Sequence, residues 1–274
     1  LTGRLFDGRT QIDELIDPRT DNHLTERADL ALVRLGLAPS RTAANTLIKA
    51  GRVRAAGKLI GKPSALLDRT ALDKLEISGA PESTRGAQKL ISAIATLRAA
   101  GHRVKITGKV CLDIGAATGG FTQVLLAEGA TQVIALDVGH SQLLPEIRAN
   151  PQVVTLEGVN ARYLTRTDLP AIPQFITCDV SFISLKLIIP VIAQIAAPGT
   201  QMLLLIKPQF EVGKGNLGKG GVVRNPDLIS QAISSVRDSA AANGITITDI
   251  IPSEVLGASG NQEYFLLGYL GNPD

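Results

Sequence analysis

Lys109–Phe121 reads KVCLDIGAATGGF. The apolar run Val110-Cys111-Leu112 predicts a buried strand ending at an acid, Asp113. The loop that follows carries Gly115, Gly119 and Gly120, and from Thr122 to Glu128 the text reads as a helix. Strand, glycine loop and helix build the nucleotide pocket of an open α/β sheet. Glycine lets a ligand approach backbone that side chains would cover. The spacing narrows the ligand. A dinucleotide fold wants G-x-G-x-x-G, whereas position 117 is Ala and the pattern here is D-x-G-x-x-x-G-G. Such a loop lacks the pyrophosphate layout, and Asp113 suits a ligand bearing an ammonium group. The motif points to S-adenosylmethionine rather than NAD, with Asp113, Gly115, Gly119, Gly120 and Phe121 at the cofactor.

Around this loop, strands and helices alternate. Strands are expected at 110–114, 132–137, 153–157, 174–180 and 202–206, with a closing pair at 245–251 and 264–269. Helices are expected at 88–100, 122–128, 142–148, 183–197 and 228–243. That order predicts a doubly wound α/β sheet. Asp137 ends the second strand, 24 residues past Asp113, where an acid commonly holds a ribose. Glu157 and Asn160 follow the third strand and are assigned to the adenine edge.

Asp179, in CDVSFIS, ends the fourth strand and Lys207, in LLLIKPQFE, ends the fifth. Ligands of open sheets bind outside these strand ends, so both residues face one crevice. A lysine after five apolar residues needs a partner, and Asp179 is the natural one. Cys178 follows Thr and reads as buried, which argues against a cysteine nucleophile for base methylation. CDVSF offers no aromatic clamp for an exocyclic amine. A hydroxyl acceptor needs a base or a nearby cation that favours the alkoxide, which a lysine supplies. The pair therefore points to O-methylation.

The 274 residues, 45% hydrophobic, suffice for a large domain plus a small one. Residues 1–25 read as a flexible extension, 26–78 as a small domain, 79–86 as a linker and 87–274 as the large domain. A net charge of +3 says little by itself, but its distribution is uneven. Residues 27–62 hold eight bases against the single acid Asp29, in a stretch of small helices. Arg34, Arg41, Lys49, Arg52, Arg54 and Lys58 are assigned to nucleic-acid phosphates. Aromatic interleaving is missing, so folded RNA fits better than stacked single strands. Two unpaired cysteines, no membrane-length apolar run and no signal-peptide pattern predict a cytoplasmic protein without an obligate protein partner. The three histidines are scattered, and no metal site is expected. Gly213–Lys219 fits G-x-x-x-x-G-K, but Gly220 follows where a triphosphate site needs Ser or Thr. It is read as a mobile basic loop over the RNA backbone.

LVRLGLAPSRTAANTLIKAGRVRAAGKLIGKP resembles the α-L RNA-binding module shared by a small-subunit ribosomal protein, pseudouridine synthases and RNA methyltransferases. Residues 85–267 resemble the FtsJ-type ribose 2′-O-methyltransferases. The two domains together resemble the TlyA family, also called hemolysin A, through RGAQKL, CLDIGAATGGFTQVLL, CDVSFISL, IKPQFEVGKG, GGVV and GNQEYFL. The resemblance implies a Rossmann-like S-adenosylmethionine-dependent methyltransferase fold preceded by a small α+β RNA-binding domain. It further implies a Lys-Asp-Lys-Glu tetrad at Lys89, Asp179, Lys207 and Glu263, acting on a cytidine ribose in ribosomal RNA. Two rival readings are an RNA-binding assembly factor with an inactive methyltransferase domain, and a cytolytic protein. An amphipathic cationic helix, a span or a secretion signal would support the latter, and the sequence shows none of these.

Overall fold

The computed structural model describes residues 25–38, 40–49, 51–77 and 85–271. The expected N-terminal extension up to residue 24, and the expected linker up to residue 84, lie outside them. The chain divides near residue 80 into two compact units.

The small unit runs β1 (Glu26–Arg27), α1 (Ala28–Arg34), α2 (Arg41–Lys49), β2 (Val53–Ala55), β3 (Lys58–Leu59), β4 (Leu66–Leu67), α3 (Arg69–Asp73) and β5 (Leu75–Ile77). Ser40 precedes α2, its Oγ accepting from Ala43 N at 3.2 Å. Gly51, at φ +70°, ends it. Arg52 N donates to Leu47 O and Gly51 N to Ile48 O, the paired bonds of a left-handed helix stop. Ala28, Ala31 and Leu32 of α1 and Ala44, Leu47 and Ile48 of α2 are buried. The text of Leu72 to Ile77 reads as a strand, but the strand formed is shorter. Asp68 accepts from Ala71 N at 2.8 Å and nucleates α3, so the strand begins only at Leu75.

The large unit opens with α4 (Arg85–Ala99), so the last two residues assigned to the linker, Arg85 and Gly86, are helical. Then follow β6 (Val110–Ile114), α5 (Gly120–Ala127), β7 (Gln132–Asp137), α6 (Pro145–Arg148), β8 (Val153–Glu157), β9 (Phe175–Cys178), α7 (Ile189–Ile195), β10 (Gln201–Ile206), α8 (Pro208–Glu211), α9 (Pro226–Ala242), β11 (Ile245–Pro252) and β12 (Tyr264–Leu270). The long helix expected over 183–197 is instead a 3₁₀ turn at Leu185–Leu187 and then α7, which restarts with Pro190 in its first turn.

One seven-stranded sheet has the order β11-β12-β10-β9-β6-β7-β8. The five strands from β10 to β8 are parallel, and β12 and β11 pair antiparallel at one end. Buried residues of α4 and α5 pack on one face, and those of α7 and α9 on the other. Every residue of β10 is buried, which explains its continuous apolar text. The chain leaves β6 toward β7 and β8, then returns to place β9 on the other side of β6. This reversal opens a crevice at the C-terminal ends of β6, β7 and β9.

Candidate active site

A cavity of roughly 460 Å³ lies in that crevice. Gly115 and Ala117 from the glycine loop, Asp137 at the end of β7 and Asn160 after β8 line it. Asp137 ties its walls together. Its Oδ2 accepts from Ala117 N at 2.8 Å and its Oδ1 from Gly139 N at 2.7 Å. Each carboxylate oxygen keeps lone-pair capacity for a further donor. Gly115, at φ +86°, is obligatory, because a Cβ there would stand 2.5 Å from Asp179 O. Leu136, Val138, Val159 and Ile188 supply apolar walls. Among the described residues the lining contains two carboxylates, Asp137 and Asp179, and no lysine or arginine.

Other expected cofactor residues build the cavity without facing it. Asp113 is fully buried, its carboxylate accepting from Thr122 Oγ1 at 2.7 Å and Thr177 Oγ1 at 3.0 Å. It braces the loop from beneath and does not line the cavity, which corrects the ammonium-binding assignment. Burial pushes its pKa up to about 7, although both threonine bonds oppose the shift. Gly119 takes φ +95° and caps α5, and Gly120 is the first residue of that helix. Neither lines the cavity; a Cβ on Gly119 would strike Ile147 and Leu143. Phe121 turns into the core and stacks on Phe265 at 6.1 Å. Glu157 is also corrected. It accepts from the backbone of Ser141, Gln142 and Leu143 and pairs with Arg148 at 2.6 Å, so it knits a loop together outside the cavity. Burial raises its pKa, but Arg148 and the amides more than offset this, and the net shift is downward.

A second cavity, of about 720 Å³, adjoins the first. Arg85, Lys89, Lys207 and Glu263 line it, so its charge is mixed and includes three cations. The two cavities share Asp179, Ser181, Phe182 and Ile183. All four tetrad residues meet here as two ion pairs. Lys89 Nζ is 2.5 Å from Glu263 Oε2, with both side chains buried. Lys207 Nζ is 2.6 Å from Asp179 Oδ1. The latter contact is an ion pair off the line of a hydrogen bond, since this oxygen has no directed donor among the described residues. The directed bond of Lys207 goes to Ser181 Oγ at 2.9 Å. Gln209 Nε2 donates to Glu263 Oε1 at 3.1 Å. Sequence reading missed Ser181, Gln209, Arg85 and Val138. Ser181, Gln209 and Arg85 stand beside Asp179, Lys207 and Lys89 in the quoted motifs, and Val138 follows Asp137 directly in the chain; nothing else in the sequence hints at them.

Cys178 cannot act as a nucleophile, since it is buried and burial pushes its thiol well above the ordinary range. Cys111 is similar, pushed up to about 12 by burial.

The family model described as FtsJ-like methyltransferase matches residues 83–269, and the S4 domain model matches residues 26–71. The chain belongs to the FtsJ-like methyltransferase family. Its relatives include the 16S/23S rRNA (cytidine-2′-O)-methyltransferase TlyA of Mycobacterium tuberculosis, 43% identical over 88% of each chain. Hemolysin A of Brachyspira hyodysenteriae is 35% identical over 84% of this chain and 93% of its own. A solved structure named as a hemolysin, from Streptococcus thermophilus, superposes with a TM-score of 0.69 at 33% identity, covering 91% of this chain and 90% of that one. As an FtsJ-like methyltransferase the chain takes S-adenosylmethionine as its donor. The first cavity fits that ligand: its walls suit an adenosine, and an anionic lining free of cations suits a sulfonium and an ammonium but not a pyrophosphate.

On the small unit, Arg34 and Arg41 have partners within the protein. Arg34 forms a bidentate pair with Glu26, 2.7 Å at its shortest. Arg41 meets the buried Asp29 at 3.0 Å. Hydrogen bonding from Arg27, foremost, and from Arg41 holds the Asp29 carboxyl down to about 2 against the effect of burial. Arg54 donates to Gly57 O at 3.3 Å, and Arg52 is half-buried. Lys49 and Lys58 are exposed. Among the described residues no helix is long and apolar enough to cross a membrane.

Proposed function

We propose that the chain methylates the 2′-hydroxyl of a cytidine ribose in ribosomal RNA. The carrying observation is that the donor cavity and the larger cavity share one wall, with Lys207 fixed against it. When bound, S-adenosylmethionine supplies an electrophilic methyl group. Gly115, Asp137 and Asn160 hold it, the carboxylate receiving the ribose hydroxyls.

The second cavity takes the acceptor nucleotide, and Arg85, Lys89 and Lys207 offset its phosphate charge. Lys207 is the activating residue. As a cation beside the acceptor oxygen it stabilises the negative charge that develops there as the hydroxyl proton passes to solvent, and it needs no reorganisation to do so. Asp179 and Ser181 fix its direction, and Lys89 with Glu263 fixes the far side. Because acceptor and donor are held on either side of one wall, positioning supplies much of the rate. The small unit binds folded rRNA through its exposed lysines, with ribosomal RNA or a ribosomal subunit as the substrate and the cytoplasm as the place of action. The Gly213–Lys219 loop, whose Gly213 and Leu217 line the acceptor cavity, covers the RNA backbone.

The test is methyl transfer from labelled donor to isolated ribosomal subunits, mapped by alkali resistance of the modified linkage. A resistant cytidine supports the reading. Donor binding without any transfer would favour the assembly-factor reading, and leakage of dye from liposomes would favour the cytolytic one.

A further inference from the structure

The wall shared by the two cavities is a stretch of irregular backbone from Asp179 to Ile183, and Ser184, next in the chain, lines the larger cavity alone. The start of the wall is tied to the sheet, where Asp179 N donates to Ile114 O at 2.9 Å. Its middle is unusual. Phe182 takes φ +64° and is 92% exposed, a conformation that surroundings must hold in place. Its far end is held by one carboxylate. Glu211 Oε2 accepts from Ser184 Oγ at 2.5 Å, and Glu211 Oε1 accepts from Leu185 N at 2.7 Å. Bonds to an ionised acceptor are roughly twice as strong as neutral ones. Glu211 is also the last residue of α8, the single turn that starts directly after Lys207. The wall therefore hangs between β9 and the helix that carries the activating lysine.

We propose that Glu211 is a positioning residue of the methyl transfer: it sets the distance between Lys207 and the wall against which donor and acceptor both lie. This rests on the methyl-transfer reading above. Glu211 lies outside the residues lining either cavity, so it acts through Ser184 and Leu185. Without it, the ion pairs of the tetrad and the buried strand β10 keep their own partners. What is lost is the fixed end of the wall that presents Asp179 and Ser181 to Lys207. A misplacement of about 1 Å at reacting groups costs on the order of a hundredfold in rate.

The experiment compares Glu211→Ala, Glu211→Gln, Ser184→Ala and the Ser184→Ala/Glu211→Ala double variant in the full chain. It reads calorimetric affinity for S-adenosylhomocysteine, kcat and KM on ribosomal subunits, and Tm. Glu211→Ala is expected to lower kcat at least about tenfold and weaken the ligand at least about threefold. Glu211→Gln keeps a carbonyl oxygen for Leu185 N and recovers most of the lost kcat. The double variant is no worse than Glu211→Ala, because both changes break one link. Wild-type kcat and affinity in Glu211→Ala overturn the proposal, as does a Glu211→Gln variant as impaired as Glu211→Ala. If Glu211→Ala fails to fold, Ser184→Ala with wild-type constants overturns it equally. Should the wild type transfer no methyl group, the functional reading fails, while the affinity arm still decides the role of Glu211.

Discussion

Lys89 and Glu263 lie 174 residues apart and form a buried ion pair at 2.5 Å. A buried pair is not in itself a strong source of stability, but breaking one strands a charge. Glu263→Ala or Lys89→Met is expected to cost about 3–5 kcal/mol. The double variant Lys89→Met/Glu263→Leu recovers most of that stability and stays inactive. Denaturant unfolding of the four proteins checks this.

Asp113 makes stability pH-dependent. Burial raises its pKa to about 7 in the folded chain, from an ordinary 3.8. A raised carboxyl stabilises the fold fully below the unfolded value, and that contribution fades as pH rises through the folded one. Thermal unfolding should therefore show Tm falling between about pH 4 and pH 7. Asp113→Asn should flatten that slope. An unchanged pH profile in the variant would remove Asp113 as the cause.

Gly115→Ala places a methyl group 2.5 Å from Asp179 O at a φ of +86°. Backbone strain of this kind costs on the order of 1–3 kcal/mol. Calorimetry should show donor affinity falling with it, because the wall that moves also lines the donor cavity.

For RNA binding, Lys49→Ala with Lys58→Ala is expected to weaken affinity uniformly across RNA sequences. It should also reduce the slope of log affinity against log salt by about 2, one per lost phosphate contact. Glu26→Gln, which releases Arg34 from its pair, should strengthen binding. Affinity titrations over a range of salt concentrations measure both.

The sequence revealed features that depend on local periodicity and missed those set by distant partners. The five parallel strands and the glycine loop were legible because burial on both faces and positive φ leave marks in adjacent residues. The crevice between Asp179 and Lys207 followed from strand ends alone. The direction in which Asp113 points was not legible, since it depends on Thr177, 64 residues away. Glu157 looked like a ligand residue because its strand ends beside the cavity, yet three amides and Arg148 claim it. Phe121 follows the loop but is drawn into the core by Phe265. Lys89 and Glu263 have the local text of surface charges, and only the resemblance singled them out. The charge excess at 27–62 overstated the free basic surface, because Glu26 lies just outside that window and Asp29 receives two arginines.

The central claim is that Lys207 activates the acceptor hydroxyl. The most direct measurement is single-turnover methyl transfer to ribosomal subunits by Lys207→Ala, alongside calorimetric donor affinity. The account predicts at least about a hundredfold loss of rate with donor affinity unchanged. Near-wild-type turnover in Lys207→Ala would contradict it.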